Sequence, residues 1–277
     1  MNRRSFLALG ATAAAASVVM PRYASGAQVE KIGVQLYTVR DAMAKDVDGT
    51  LAQIAKLGYK EVEFAGYYDK TPAQIKAKLA ELGLASPSTH VRLANLRDDR
   101  AKTLETAAAV GHTWVVLAWL APEERGALAD YQKLADLLNS AGEDAHKHGL
   151  RIAYHNHDFE FAPSDGAVPY EAMLERADPK LVEFEMDLYW VTKAGHDPVE
   201  LFTKHPGRFP LLHVKDMDTT PAGGFAEVGR GKIDFKRILG SAKTGGAKHF
   251  YVEQDITPGS PFDSLKISYD YLKALKF

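Results

Sequence analysis

The stretch LVEFEMD, residues 181–187, is an apolar-rich run that ends on Asp187. Two later stretches share the design: FPLLH, residues 209–213, ends on His213, and HFYVE, residues 249–253, ends on Glu253. Such runs read as buried strands. Each therefore places one metal-capable side chain at a strand's C-terminal end, where α/β proteins build their sites. Together the three residues make a candidate metal site.

Working outward, short β-rich runs alternate with longer helical patterns from Lys31 onward. The expected strands are Ile32–Tyr37, Glu61–Phe64, Ala85–His90, Trp114–Ala118, Arg151–His155, Val182–Asp187, Pro210–Val214 and Lys248–Glu253. Between them, Ile75, Leu79 and Leu82 recur at helical spacing in Pro72–Leu82, as do Leu134, Leu137, Leu138 and Ala141 in Tyr131–His148. Gly58, Gly83, Gly111 and Gly149 close helices just before strands, as left-handed caps do. Eight strand–helix units in about 250 residues are the size and count of a parallel (β/α)8 barrel, the TIM barrel, as a single α/β domain over residues 28–277. An open doubly wound sheet is the rival, but no Gly-x-Gly-x-x-Gly turn follows the first strand, which runs on as GVQLYTVRD. The Pro- and Gly-containing segment Thr219–Gly231 reads as one long loop after the seventh strand.

The apolar share of 46% suits a globular chain with a substantial core. A formal charge of -2 argues against a nucleic-acid binder, which normally carries a basic face, and leaves small molecules as the expected partners. The chain has no cysteine, which excludes thiolate metal sites and cysteine nucleophiles. Residues 1–27 read as an export signal: Arg3, Arg4, Phe6 and Leu7 match the twin-arginine pattern, an apolar stretch follows to Met20, and Ala24-Ser25-Gly26-Ala27 suits cleavage. This implies the twin-arginine export machinery as a partner and a periplasmic or secreted protein. Homo-oligomerisation stays open.

In a barrel all strand ends face one mouth. There the sequence gathers Tyr37, Glu63, His90, His155, His157, Asp187, His213 and Glu253. Asp187, His213 and Glu253 offer mixed oxygen and nitrogen donors suited to manganese, magnesium, iron, cobalt or zinc. A fourth ligand is expected in YHNHDFEF, residues 154–161, where His155 holds the strand position and Glu160 offers a carboxylate that could also act as a base. The sequence does not choose outright; the preference of a hard ion for oxygen tips the balance to Glu160. His213 and Lys215 share one side of an extended strand, so Lys215 could hold a substrate oxygen. Aromatic residues near the mouth, Tyr37 and Trp190 among them, offer faces for the C–H side of a sugar. Neither a Gly-x-Ser-x-Gly elbow nor a His-Glu-x-x-His helix is present.

The spacing of Asp187, His213 and Glu253, with GVQLYTVRD at the start, YHNHDFEF in the middle and GRGKIDF at Gly229–Phe235, resembles the sugar phosphate isomerase/epimerase family, the xylose isomerase-like barrels. The resemblance implies one divalent ion, often manganese, held by a Glu, Asp, His, Glu quartet, with two of the acids shuttling a proton through an enediolate. Carried over, the last three positions fall on Asp187, His213 and Glu253, and the first falls in YHNHDFEF. His155 stands where a glutamate is common, and Trp190 stands where a histidine often follows the aspartate by three residues. Both departures point away from simple aldose–ketose isomerisation. Related subgroups dehydrate inososes, epimerise keto sugars or cleave oxidised glycosides.

The expectation is thus a metal-dependent isomerase or epimerase acting on a sugar or keto sugar. A lyase on a cyclitol or oxidised glycoside is the alternative; other classes are a metal-dependent hydrolase or a non-catalytic exported sugar binder. Its ligands would be Glu160, Asp187, His213 and Glu253, and its catalytic groups Glu253, Glu160, His157 and Lys215. Substrate contacts would come from His90, His155, Trp190, Tyr37 and Glu63.

Overall fold

The computed structural model describes residues 26–277. Apart from its last two residues, the expected export signal lies outside them. Eight parallel strands close into one barrel in simple sequential order: β1 (Ile32–Gln35), β2 (Glu61–Phe64), β3 (Ala85–Val91), β4 (Trp114–Leu117), β5 (Arg151–His155), β6 (Val182–Asp187), β7 (Leu211–Val214) and β8 (His249–Val252). Helices cross back over the outside between strands. Pro72–Leu82 starts on a capping box made by Thr71 and Gln74, and ends at Gly83 in the left-handed region (φ 61°). The strands sit where the apolar runs placed them, with differences at the ends. The first stops at Gln35, and Tyr37 lies instead in a 3-10 turn, Leu36–Val39, where the residue is 44% exposed. Glu253 lies one residue beyond β8.

Side chains of a strand alternate between faces. On β6, Val182, Phe184 and Met186 join the large apolar layer between barrel and helices, while Glu183, Glu185 and Asp187 line the interior. The same alternation puts Val62 and Phe64 outside and Glu61 and Glu63 inside on β2. The barrel therefore has two separate apolar regions. One is the outer layer; the other is a small inner plug of Trp114, Val116, Ala153, Leu211 and Tyr251. Above and around this plug, the interior is polar.

The segment after β7, read as one long loop, contains a short hairpin that pairs Asp216–Met217 with Phe225–Ala226. The Asp216 carboxylate holds the rest of the segment in place by accepting from the backbone N–H groups of Met217, Gly229, Gly231 and Ile233. The GRGKIDF motif is thus wrapped around one buried acid. Phe225 from this hairpin packs on Tyr189 and Trp190 and helps wall the mouth.

The inner plug explains a glycine in β1. A Cβ on Gly33 would lie 2.5 Å from Cδ1 of Tyr251, whose ring is fully buried and whose hydroxyl accepts from Ser88 Oγ at 2.9 Å. Gly33→Ala should lower stability by about 1–3 kcal/mol through overpacking. The denaturant midpoint reads this directly; an unchanged midpoint would mean that the plug can yield.

Candidate metal centre

The interior polar groups form layers, because a buried carboxylate must find a cation or hydrogen-bond donors. At the base, Glu183 accepts from Trp114 Nε1 and from Arg151 Nε, both at 2.6 Å, and Glu61 meets His249 Nδ1 at 2.7 Å. One layer up, Glu63 and Glu185 lie among three imidazoles. Glu63 Oε2 is 2.7 Å from His213 Nε2 and accepts from Gln35 Nε2 at 2.8 Å. Glu185 Oε2 is 2.6 Å from His90 Nε2 and 3.0 Å from His155 Nδ1. The uppermost layer, at the C-terminal mouth, holds Asp187, Glu253, Lys215 and His157.

His155 and His213 stand between the upper two layers. Each turns one nitrogen to the carboxylates below and the other to Asp187 and Glu253 above. His155 Nε2 is 3.8 Å from Asp187 Oδ2; His213 Nδ1 is 4.0 Å from the same oxygen and 2.9 Å from Glu253 Oε2. One ligand atom from each of His155, Asp187, His213 and Glu253 lies within 4.8 Å of all the others.

These distances test whether the residues fit a metal. Two donors bound about 2.1 Å from one ion stand roughly 3.0–3.4 Å apart at cis or tetrahedral angles. Separations of 3.8 and 4.0 Å are too long for hydrogen bonds but close to that span. Asp187 divides its labour: Oδ1 accepts from the N–H groups of Tyr189 and Trp190, starting the helix Leu188–Lys193, while Oδ2 is buried and takes no hydrogen bond. Two imidazoles and two carboxylates, with a buried unsatisfied oxygen among them, fit a borderline divalent ion. A second group, His90, His155, Glu185 and His213, is as compact, but three contacts of hydrogen-bond length, 2.6, 3.0 and 3.1 Å, converge there on one oxygen of Glu185. In the first group the contact of that length is His213 with Glu253 at 2.9 Å, and Asp187 Oδ2 takes no hydrogen bond.

The profile of the xylose isomerase-like TIM barrel family matches residues 51–275. The chain belongs to that family. This xylose isomerase-like barrel is 24% identical to inosose dehydratase of Geobacillus kaustophilus (strain HTA426), covering 82% of this chain and 87% of that one. Among solved structures it is similar to a sugar phosphate isomerase/epimerase from Parabacteroides distasonis ATCC 8503, with 27% identity, a TM-score of 0.75, and 90% and 95% of the two chains covered. It shares the fold of 3-keto-D-glucoside 4-epimerase YcjR from E. coli (16% identity, TM-score 0.69, 88% and 99% covered) and of the zinc-bound IOLI protein (16%, 0.70, 87% and 95%).

Within the xylose isomerase-like barrel, the structure brings His155 to Asp187, His213 and Glu253, and takes Glu160 elsewhere. Glu160 turns away from the group: Tyr154 donates its hydroxyl to Oε1 at 2.6 Å and His157 donates its backbone N–H to Oε2 at 2.9 Å. Tyr154 alternates to the outer layer, so its partner Glu160 is drawn there too. Geometry thus gives His155 the fourth corner, and gives Glu160 the task of pinning the loop that carries His157. Glu63 and His90, expected to meet substrate, bond within the layer below; Glu63 is fully buried. Trp190 lies at the mouth against His157, its Nε1 buried without a partner. Lys215 is buried, 2.8 Å from Asp255, 3.0 Å from Glu253 and 3.4 Å from Asp187. Sequence reasoning overlooked Asp255 and, above all, Glu185, which two-residue periodicity within LVEFEMD puts on the same face as Asp187.

The charges follow from these contacts. Burial pushes the Asp187 carboxyl up to about 6, against the pull of Lys215 and His213. Burial opposes charge on Lys215, but Glu253, Asp187 and Asp255 outweigh it and hold the ammonium above its ordinary value. Glu253 is held well below the usual range: burial would raise it, but Lys215 and His213 prevail. Burial, and then the charge of His155, keeps the His157 imidazole well below its usual value, hence neutral.

Glu160 gives a test by pH. Burial raises its carboxyl from 4.5 to about 7. Between those values the folded protein holds a proton that the unfolded chain has released, so this group makes stability fall as pH rises. Glu160→Gln removes the contribution, and its stability relative to wild type should climb from pH 4.5 to 7 and then level off. A flat difference across that range, from denaturation curves at each pH, would show that Glu160 does not titrate there.

Proposed function

We propose that this protein is a metal-dependent isomerase or epimerase that moves a proton next to the carbonyl of a sugar or keto sugar. The observation that carries the reading is the His155, Asp187, His213, Glu253 group at the barrel mouth, with a buried ammonium, Lys215, against two of its acids. A divalent ion held there, manganese or zinc foremost, would polarise a carbonyl and its neighbouring hydroxyl and stabilise the charge left by deprotonation.

The chain's own side chains supply the rest. Glu253, kept ionised by Lys215 and His213, is placed to take a proton through a carboxylate oxygen. His157 is neutral and packed between Phe159 and Trp190, and its Nδ1 is buried without a partner, so it can accept a proton or return one. Lys215 remains charged; Nζ can donate to an oxygen that gains negative charge but cannot act as the base. Trp190 and the half-exposed Tyr37 offer ring faces to the sugar.

Elimination by the same groups is the second reading. It begins with the same proton removal; the departing hydroxyl would leave as water with the proton the base has taken, while the Lys215 ammonium, beside the ligands, donates a hydrogen bond to it. The Geobacillus kaustophilus relative is named for such a dehydration. A substrate of the cyclitol or oxidised-sugar kind suits both readings.

Protein loaded with manganese and incubated with keto sugars and inososes in heavy water should place deuterium on the carbon beside the carbonyl. Lys215→Met and Glu253→Gln should each slow exchange by about 10²–10⁴-fold. No incorporation with any such substrate by wild-type protein that holds stoichiometric metal would end the proton-transfer reading.

We also propose that the mature protein works outside the cytoplasm, on the strength of Arg3-Arg4-Ser5-Phe6-Leu7. Replacing Arg3 and Arg4 by lysine should leave the precursor in the cytoplasmic fraction. Wild-type protein that stays there uncleaved would refute export.

A further inference from the structure

Glu185 concentrates three contacts on one oxygen. Its Oε2 lies 2.6 Å from His90 Nε2, 3.0 Å from His155 Nδ1 and 3.1 Å from His213 Nε2, while Oε1 takes no hydrogen bond. The side chain is fully buried, and three ring nitrogens crowd its one oxygen at hydrogen-bond distance. A carboxyl oxygen met by three ring nitrogens serves as the shared acceptor, since it could offer at most one hydrogen among them. Each nitrogen facing it must therefore bring the hydrogen.

From this geometry we infer that Glu185 is the positioning residue of the metal centre, fixing which nitrogens of His155 and His213 carry hydrogen and so which are free to bind an ion. The inference rests on the metal-dependent reading of the site. For His155, the hydrogen belongs on Nδ1, which leaves Nε2 aimed toward Asp187. For His213, it belongs on Nε2; Nδ1, which without an ion shares a second hydrogen with Glu253 at 2.9 Å, is the nitrogen an ion would claim by displacing that proton. A neutral imidazole has one donor and one acceptor nitrogen, and the acceptor is the one that binds metal. Partners that hold the other nitrogen orient the ring and raise its basicity.

The two rings do not depend on Glu185 equally. His213 Nε2 has a second and closer acceptor in Glu63 Oε2 at 2.7 Å, itself oriented by Gln35. At His155 Nδ1, Glu185 is the acceptor. Loss of the carboxylate should therefore free the His155 ring and leave His213 in place. His90, on the same oxygen at 2.6 Å and stacked on His213 with ring centroids 5.2 Å apart, pins the carboxylate from the other side.

The test uses Zn²⁺ as probe. In the zinc-loaded wild-type protein, imidazole ¹H–¹⁵N spectra should show His155 with hydrogen on Nδ1 and His213 with hydrogen on Nε2; the opposite pattern for His155 would overturn the inference without any variant. Glu185→Gln should bind Zn²⁺ about 10–100-fold more weakly, with His155 losing its single pattern while His213 keeps its own. Glu183→Gln is the control. It removes an interior carboxylate on the same face of β6, one that serves Trp114 and Arg151 instead, and should leave zinc affinity unchanged. Equal affinity of Glu185→Gln and wild type would overturn the inference alone, as would an equal loss in both variants. Failure of the wild type to bind Zn²⁺ or Mn²⁺ would overturn the metal reading along with it.

Discussion

A carboxylate inside a closed barrel must be answered by a cation or by donors, and this requirement organises the interior. Glu61, Glu63, Glu183, Glu185, Asp187 and Glu253 are all buried. Desolvating an ion without compensation costs several kcal/mol, so none can stand unanswered without weakening the fold. The partners found are indole and guanidinium at the base, imidazoles in the middle and an ammonium at the mouth. Each layer limits what the next can be: the imidazoles that answer Glu63 and Glu185 have only their second nitrogen to give upward.

The folding and functional demands meet in Asp187. One oxygen caps a short helix and thereby sets the wall carrying Tyr189 and Trp190; the other is left buried without a hydrogen bond. An aspartate used only as a helix cap would normally leave its second oxygen to water. Strand β6 carries three acids on one face with different surroundings: Glu183 between an indole and a guanidinium, Glu185 among imidazoles, and Asp187 at the mouth beside Lys215. A single register shift would send all three into the apolar outer layer.

The barrel was legible because its strands are buried on both faces and so read as compact apolar runs, and because left-handed glycines end the helices that precede them. Asp187, His213 and Glu253 were legible for the same reason, as polar ends to apolar runs. Glu160 was not. In YHNHDFEF the strand ends at His155, and the chain then turns through a 3-10 segment in which two-residue periodicity fails; the pull of Tyr154 takes the carboxylate to the outer layer. Glu63 and His90 were legible as inward-facing, but depth was not. Only the contacts show it: Glu63 meets Nε2 of His213, the nitrogen opposite the one that faces Glu253 at the mouth.

The charges at the mouth argue for what the site is built to hold. Asp187, Glu253 and Asp255 converge on the ammonium of Lys215, three acids against one cation. His213 meets Glu253, but its other nitrogen is engaged by Glu63 and Glu185 below, whose own charges it must share with His90. The upper layer therefore carries about two unmatched negative charges if all three acids ionise. The protein alone relieves this by holding a second proton on His213, where Glu185 and Glu253 outweigh burial, and by keeping acids protonated, the direction in which both Asp187 and Asp255 are shifted, burial leading in each. A divalent cation among His155, Asp187, His213 and Glu253 would supply the missing charge. The same excess of acids that costs the polypeptide stability by itself is what favours a doubly charged ion at the mouth.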